Sequence, residues 1–408
     1  MPGEKRMQKE TVRDVDVRGK RVLVRVDFNV PLGPGGTIED DSRIHACTPT
    51  ITYLVRQQAR VIICSHLGRP HGRVDERLRM EPVARRLAEI LRRPVISLRE
   101  TVGPVVEEAI NRMHDGDVAV LENLRFSPGE EANDPVFARA LARCADLVVN
   151  DAFGVSHRTH ASIVGIAGFL PCVAGLLMEK EIAALSPLLE NPAHPFALVL
   201  GGAKAGEKIA ILENCIPLVD RVLVGGGAAA PFLAYTGSFP GGSAAFDPEI
   251  LEKVRAVMEM AGTHGVQVLL PVDVVTAEKP EPGAAYRVVS PGDIPAGHVI
   301  ADIGPATLAA YISAIRPCRT VAWNGPMGIF EIPAFSAGTK AIAAALAGLH
   351  ATTIIGGGST AEAVTQLGLA GEMTHVSTGG GAFLSFLSGK ALPGVTVLAD
   401  LQGSAAKG

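Results

Sequence analysis

Basic side chains recur just beyond short apolar runs in the first part of the chain. Residues 21–26 run into Asp27, Phe28 and Asn29, and residues 61–65 into His66, Leu67, Gly68 and Arg69. Residues 118–121 run into Glu122, Asn123 and Arg125, and residues 147–149 into Asn150 and Asp151, with His157 and Arg158 close behind. Arg43 follows an acidic loop and opens a helical stretch. A guanidinium fork pairs with carboxylate or phosphate through two bonds at once, which a lysine point charge does not. Arginine and histidine gathered at equivalent strand ends, with Arg43 joining them, describe a basin for a small, multiply charged anion bearing phosphate or carboxylate.

The second part of the chain replaces charge with glycine. Residues 198–200 lead into Gly201, Gly202, Ala203 and Lys204, with Lys208 further on; residues 221–224 lead into glycines 225–227. Residues 321–323 lead into Asn324 and onward to Glu331, and residues 352–355 into Gly356, Gly357, Gly358, Ser359 and Thr360. Glycine lets backbone approach phosphate oxygens, and a helix that follows offers free N–H groups and the positive end of its dipole. Lys204 and Lys208 are four apart, so on a helix they share a face and reach one polyphosphate. Two rival motifs overlap this pattern. The stretch 201–207 fails as a P-loop because Glu207 sits where the lysine belongs. Gly225-x-Gly227-x-x-Ala230, with Asp247 beyond it, fits a dinucleotide fingerprint, and Gly356-x-Gly358-x-x-Ala361 fits it too. A pattern that fits twice discriminates little. A nicotinamide-dependent oxidoreductase is kept as an alternative, favoured if NAD(H) binds and ATP does not.

In open parallel sheets, ligands bind beyond the carboxyl ends of the strands, and the order of elements supplies such sheets. Nine short runs rich in valine and isoleucine alternate with stretches of helical spacing such as 80–91 and 248–261. This predicts an α/β protein with two doubly wound, Rossmann-like parallel-sheet domains. Residues 176–189 read as a helix bridging the two, with a proline-containing loop at 191–195 and a cleft between the domains. Over 408 residues, 47% are apolar and 20% charged, enough for a core in each half and no match to global disorder. A net charge of −4 argues against a general nucleic-acid binder. Residues 1–180 nevertheless hold 26 Lys and Arg against 24 Asp and Glu, and 22 of those 26 are Arg. No apolar stretch reaches membrane-spanning length, and MPGEKRMQKE has no apolar signal core. Six scattered cysteines without a CxxC pair predict buried, reduced thiols and a cytoplasmic location.

The runs VRVDFNVPL (24–32), SHLGRP (65–70), LENLRF (121–126), NDAFG–HRTH (150–160), GGAKAGEKI (201–209), LPVDVV (270–275), NGPMGIFE (324–331), IGGGST (355–360) and HVSTGGGAFLSFLSGKALPGV (375–395) resemble phosphoglycerate kinase. They follow that family's order over nearly the whole chain. The resemblance implies a bilobal enzyme that moves a phosphoryl group between ATP and the carboxylate of 3-phosphoglycerate. It implies a 3-phosphoglycerate domain over 1–175, an interdomain helix over 176–190, a nucleotide domain over 191–385, and a segment, 386–408, that returns to the first domain. Carried over by position, it assigns Asp27, Phe28, Asn29, Arg43, His66, Leu67, Gly68, Arg69, Arg125 and Arg158 to 3-phosphoglycerate. It assigns Lys208, Glu331, Gly357, Gly358, Ser359 and Thr360 to the nucleotide, with Glu331 on the ribose. Arg43 and Lys204 would be the catalytic residues, flanking the phosphoryl group in flight. The acceptor carboxylate is already ionised near neutral pH, so no histidine is needed as a base. Mg²⁺ would enter as Mg-ATP or Mg-ADP, to a cytoplasmic monomer without nucleic-acid or membrane partners.

One position departs from the family. An aspartate commonly follows the triple glycine and helps hold Mg²⁺; here Ser359 stands there, a poor metal ligand beside a carboxylate. The metal ligand is therefore left open between nucleotide phosphates with water and another carboxylate. A kinase-like protein that binds without turnover is the second alternative.

Overall fold

The computed structural model describes residues 9–240 and 242–401. The N-terminal octet and the small-residue tail 403–408 lie outside the described residues. Two compact units divide the chain, Met1–Ala183 with Ala391–Gly408, and Ala184–Lys390. The division falls inside the helix Leu176–Glu190, which runs through Pro187 rather than stopping before it. Each unit is α/β and carries one six-stranded parallel sheet.

The first unit holds β1 (Arg21–Arg25), β2 (Arg60–Cys64), β3 (Ile96–Ser97), β4 (Val118–Val120), β5 (Leu147–Asn150) and β6 (Cys172–Ala174), ordered β3-β4-β2-β1-β5-β6. Val22, Val24, Val61 and Ile63 expose nothing; a strand covered on both faces must be apolar at every position instead of alternating. From β1 the chain builds outward on one flank, then crosses back to lay β5 on the other. In sheets of this kind the ligand crevice lies where the strand order reverses, here between β1 and β5. The register sets Arg25 beside both Cys64 and Asn150, so the segments after β1, β2 and β5 start at one level. The segment beyond Ala391 packs on this unit: the Gly394 N–H donates to the Ser156 carbonyl at 2.8 Å, and Asn150 Nδ2 donates to the Gly394 carbonyl at 3.0 Å.

The second unit repeats the plan with β7 (Phe196–Leu200), β8 (Arg221–Val224), β9 (Gln267–Leu269), β13 (Thr320–Asn324), β14 (Thr352–Gly356) and β15 (His375–Val376), ordered β15-β14-β13-β7-β8-β9. Here the order reverses between β7 and β13. A feature beyond the sequence expectation is a three-stranded antiparallel sheet, β11-β10-β12, built from β10 (Val274–Ala277), β11 (Arg287–Val289) and β12 (Val299–Ile303). All six cysteines are free and buried. Among the described residues no helix is long and apolar enough to cross a membrane.

The helix Leu176–Glu190 is pinned at its start. The N–H groups of Leu177 and Met178 donate to Asp151 Oδ1 at 2.9 and 3.3 Å, satisfying two donors that a first helical turn leaves open. Gly175 fits beneath that carboxylate because a Cβ there would strike it.

Candidate functional site

The first site lies at the carboxyl edge of the first sheet. Asp27 and Asn29 leave β1 in a turn that buries Phe28, whose N–H donates to Ser65 Oγ at 2.9 Å. Asn29 Oδ1 accepts from the Gly68 N–H at 2.8 Å. Asn123 clamps Leu67 from β4's end: Oδ1 accepts from the Leu67 N–H at 3.2 Å, and Nδ2 donates to its carbonyl at 2.7 Å. Gly68 adopts φ 61°, and a Cβ there would press into Leu78, so the turn calls for glycine. Its carbonyl accepts from Arg125 Nη1 at 2.8 Å. Phe28 and Leu67 are buried, so they brace the loops and offer a ligand no side chain.

Charge gathers on this frame. Arg43 bonds Asp27 from the first turn of the helix Ser42–Arg56. Arg125 is 3% exposed, with Nε 3.0 Å from Glu131 but not aligned for a hydrogen bond. Arg158 Nε is likewise buried without a hydrogen bond. Burial drives His66 well below its ordinary value, and Arg25, Arg125 and Arg158 add to the effect. His160 is held at about 4 by burial and the same three arginines. These mutual effects put Arg125, Arg158 and His66 in one electrostatic neighbourhood, while Arg69 is exposed. Cations crowded into a partly dry basin favour an anion strongly, because buried charge is costly until it is paired.

The second site lies where the second sheet reverses. Gly201 and Gly202 donate through their N–H groups to the carbonyls of Asn324 and Pro326 at 2.9 and 2.7 Å, and a Cβ on Gly201 would collide with that same loop. This turn uses up the residues before the helix Ala205–Cys215, and Lys204 sits at its N-cap in an extended conformation. The helical face that four-residue spacing predicted for Lys204 and Lys208 is therefore not formed. Lys204 reaches outward to Glu207 at 3.1 Å, its side chain 78% exposed, whereas Lys208 is buried with Nζ on Asn324 Oδ1. Burial lowers Lys208 to about 8.

Asn324 links the elements of this site. Its Nδ2 donates to the Gly356 carbonyl at 3.0 Å, and the following Gly325 N–H donates to Thr360 Oγ1 at 2.8 Å. Thr360 is fully buried, so its hydroxyl ties two loops together rather than facing a ligand. Gly357, at φ 94°, caps the helix Gly358–Gln366, whose first two residues are exposed at its positive end. A cavity of about 550 Å³ adjoins this turn, with Gly202, Gly227, Phe239, Phe246, Ile329, Glu331 and Ser359 among its walls. The Phe239 and Phe246 rings meet edge to face at 5.3 Å. A largely apolar chamber beside a helix start suits a base carrying phosphates.

Asn324 was visible in the sequence only as the end of a run, and nothing marked it as a hub. Phe239 and Phe246 sit in a loop without periodicity, so no pattern pointed to them. Asp247, the acid that the dinucleotide fingerprint needs, instead caps the helix Pro248–His264 by accepting from the Glu249 N–H at 2.8 Å. Among the described residues no three His, Cys, Asp or Glu cluster to hold a metal ion, and Ser359 offers only a neutral hydroxyl. The described residues thus supply no clustered carboxylate, histidine and thiol donors for a resident metal.

A phosphoglycerate kinase family model matches residues 12–390. Phosphoglycerate kinase of Pelotomaculum thermopropionicum is 53% identical over 394 residues, covering 97% of this chain and 100% of that protein. The Roseiflexus sp. enzyme of that name is 50% identical over 396 residues, at 97% and 100% coverage. Among solved structures, phosphoglycerate kinase from Coxiella burnetii superposes with a TM-score of 0.84 at 38% identity, covering 95% of this chain and 98% of that one. The one from Pyrococcus horikoshii gives 0.82 at 33% identity, with the same coverage.

Proposed function

This chain belongs to the phosphoglycerate kinase family, and from that premise we propose how its residues divide the reaction. The enzyme is a phosphotransferase that moves a phosphoryl group reversibly between ATP and the carboxylate of 3-phosphoglycerate, giving ADP and 1,3-bisphosphoglycerate. The nicotinamide alternative is not favoured.

The proposal seats 3-phosphoglycerate among Asp27, Asn29, Arg43, His66, Arg69, Arg125 and Arg158. Lys208 and the turn Gly357, Gly358, Ser359 and Thr360 hold the nucleotide phosphates, Thr360 through backbone, and Glu331 holds the ribose. A substrate carboxylate oxygen forms the new bond to the γ-phosphorus, the bond to the bridging oxygen breaks, and ADP leaves. No proton moves, so catalysis rests on alignment and on cations around the phosphoryl oxygens. Arg43 and Lys204 supply those cations from the two units. Asp27 holds Arg43 and Glu207 holds Lys204 until then. The Lys204 pair is exposed and weak enough to exchange for phosphate.

Domains over 1–175 and 191–385, joined by a helix over 176–190, close about that helix and exclude water; of the segment 386–408, residues 391–401 pack on the first. Mg²⁺ arrives with the nucleotide as part of the substrate, held by phosphates and water. A cytoplasmic monomer without membrane or nucleic-acid partners completes the proposal.

The observation that carries it is the crowding of the guanidinium groups of Arg125 and Arg158 around the buried His66 ring. Calorimetric titration with 3-phosphoglycerate alone tests it. Arg158→Ala should weaken binding about tenfold or more, the loss of one charged hydrogen bond, and leave ATP affinity intact. Unchanged 3-phosphoglycerate affinity would remove the basin from the proposal.

A further inference from the structure

Behind the basin runs a buried polar chain to which no role has yet been given. Arg25 closes β1 at 1% exposure, Ser162 is 1% exposed and Glu130 is 0% exposed. Arg25 Nε donates to Ser162 Oγ at 2.8 Å. Ser162 passes the link on: its Oγ donates to Glu130 Oε1 at 2.6 Å, and its N–H donates to Oε2 at 3.0 Å. Arg25 Nη1 donates to the Val26 carbonyl. Nη2 lies 4.0 Å from Glu130 Oε1 and 3.4 Å from His66 Nδ1. The guanidinium is thus held from behind before it meets the histidine.

Arginine has donors only and keeps its proton. The ring nitrogen that faces it must accept, and a neutral imidazole then carries its hydrogen on the other nitrogen. Asp27 Oδ1 is 3.9 Å from the same Nδ1, too far to take a hydrogen bond from it. Around the ring stand Arg25 on β1, Arg125 from the turn after β4, Arg158 and His160 beyond β5, and Asp27 after β1. Glu130 is shared with His160, whose Nδ1 is 3.8 Å away.

We infer that Arg25, anchored through Ser162 to Glu130, is a positioning residue that fixes His66 in its Nε2–H tautomer. The ring then turns a neutral donor toward the anionic substrate. The opposite tautomer would turn a lone pair toward the substrate oxygens and repel them. The inference rests on the proposal that His66 binds 3-phosphoglycerate.

Nitrogen-15 NMR of the full-length, histidine-labelled enzyme without ligand reads the tautomer directly. The expected His66 signals are those of a neutral ring protonated at Nε2. Ser162→Ala and Arg25→Lys should mix the tautomers and raise the KM for 3-phosphoglycerate about tenfold, with the KM for ATP unchanged. Ser162→Thr, which keeps the hydroxyl, should restore both. Should Arg25→Lys fail to fold, Ser162→Ala alone decides. An Nδ1–H or charged ring in the wild type, or an unchanged tautomer in Ser162→Ala, would overturn the inference. If the tautomer were as stated but His66→Ala bound 3-phosphoglycerate normally, the substrate role of His66 would fall while Arg25's hold on the ring stood.

Discussion

Lys208 carries an ammonium group into a place that disfavours it. Its value drops from 10.5 to about 8 because burial strips its water. Below 8 the amine is charged in folded and unfolded chains alike, and the folded chain bears the desolvation. Between 8 and 10.5 the unfolded chain binds more protons, so this group's contribution to stability rises with pH through that window, by on the order of 3 kcal/mol. A polyphosphate beside the ammonium would raise the value again. Nucleotide binding just above pH 8 should therefore take up a proton, seen as calorimetric heats that depend on the buffer's ionisation enthalpy. Lys208→Met should abolish that dependence, and its absence in the wild type would contradict the placement. The transfer step makes a second demand: Arg43→Ala and Lys204→Ala should each lower kcat about 10²–10³-fold, the scale of losing one transition-state donor. His66, Arg125 and Lys208 were legible in the sequence because each follows a strand. Ser162 and Glu130 were not, since they reach Arg25 and His66 only through the fold, across separations that no local pattern spans.

Asp151 governs the start of the helix Leu176–Glu190. Burial lifts its carboxyl from 3.8 to about 6, opposed by the N–H groups of Met178 and Leu177 and by Thr50. A raised carboxyl means the folded chain binds the proton more readily. Its contribution to stability is full below 3.8 and falls as pH rises to about 6, by on the order of 3 kcal/mol. Asp151→Asn keeps an acceptor for the helix without a charge. It should be at least as stable as the wild type near neutral pH and should lose that slope in denaturant melts. Asp151→Ala removes the acceptor and should lose about 1–2 kcal/mol. Equal destabilisation by both would mean that the charge, through the helix dipole, holds the turn. The helix itself was legible from its apolar spacing, and the longer strands from their valine and isoleucine runs. Strands β3, β6 and β15 have two or three residues each, too few for a period to register. The antiparallel sheet was missed because β11 is short and half exposed, and β10 and β12 carry aspartate and threonine at or beside their cores.

At the scale of the whole molecule, two units of like plan present unlike edges, one lined with arginine and the other with glycine turns. That contrast was readable from the residues following each strand, because parallel sheets place those residues at one edge whatever the rest of the chain does. The local turn geometry was not readable: Lys204 stands outside its helix and Thr360 is spent on the fold. The most direct test of the proposed transfer is the rate of 3-phosphoglycerate-dependent ADP formation, followed as Mg²⁺ is titrated at fixed ATP. Turnover should require 3-phosphoglycerate, and its dependence on Mg²⁺ should follow the concentration of Mg-ATP alone, since Ser359 supplies no carboxylate. ATP and 3-phosphoglycerate bound without turnover, or a separate saturable Mg²⁺ requirement once all ATP is complexed, would contradict it.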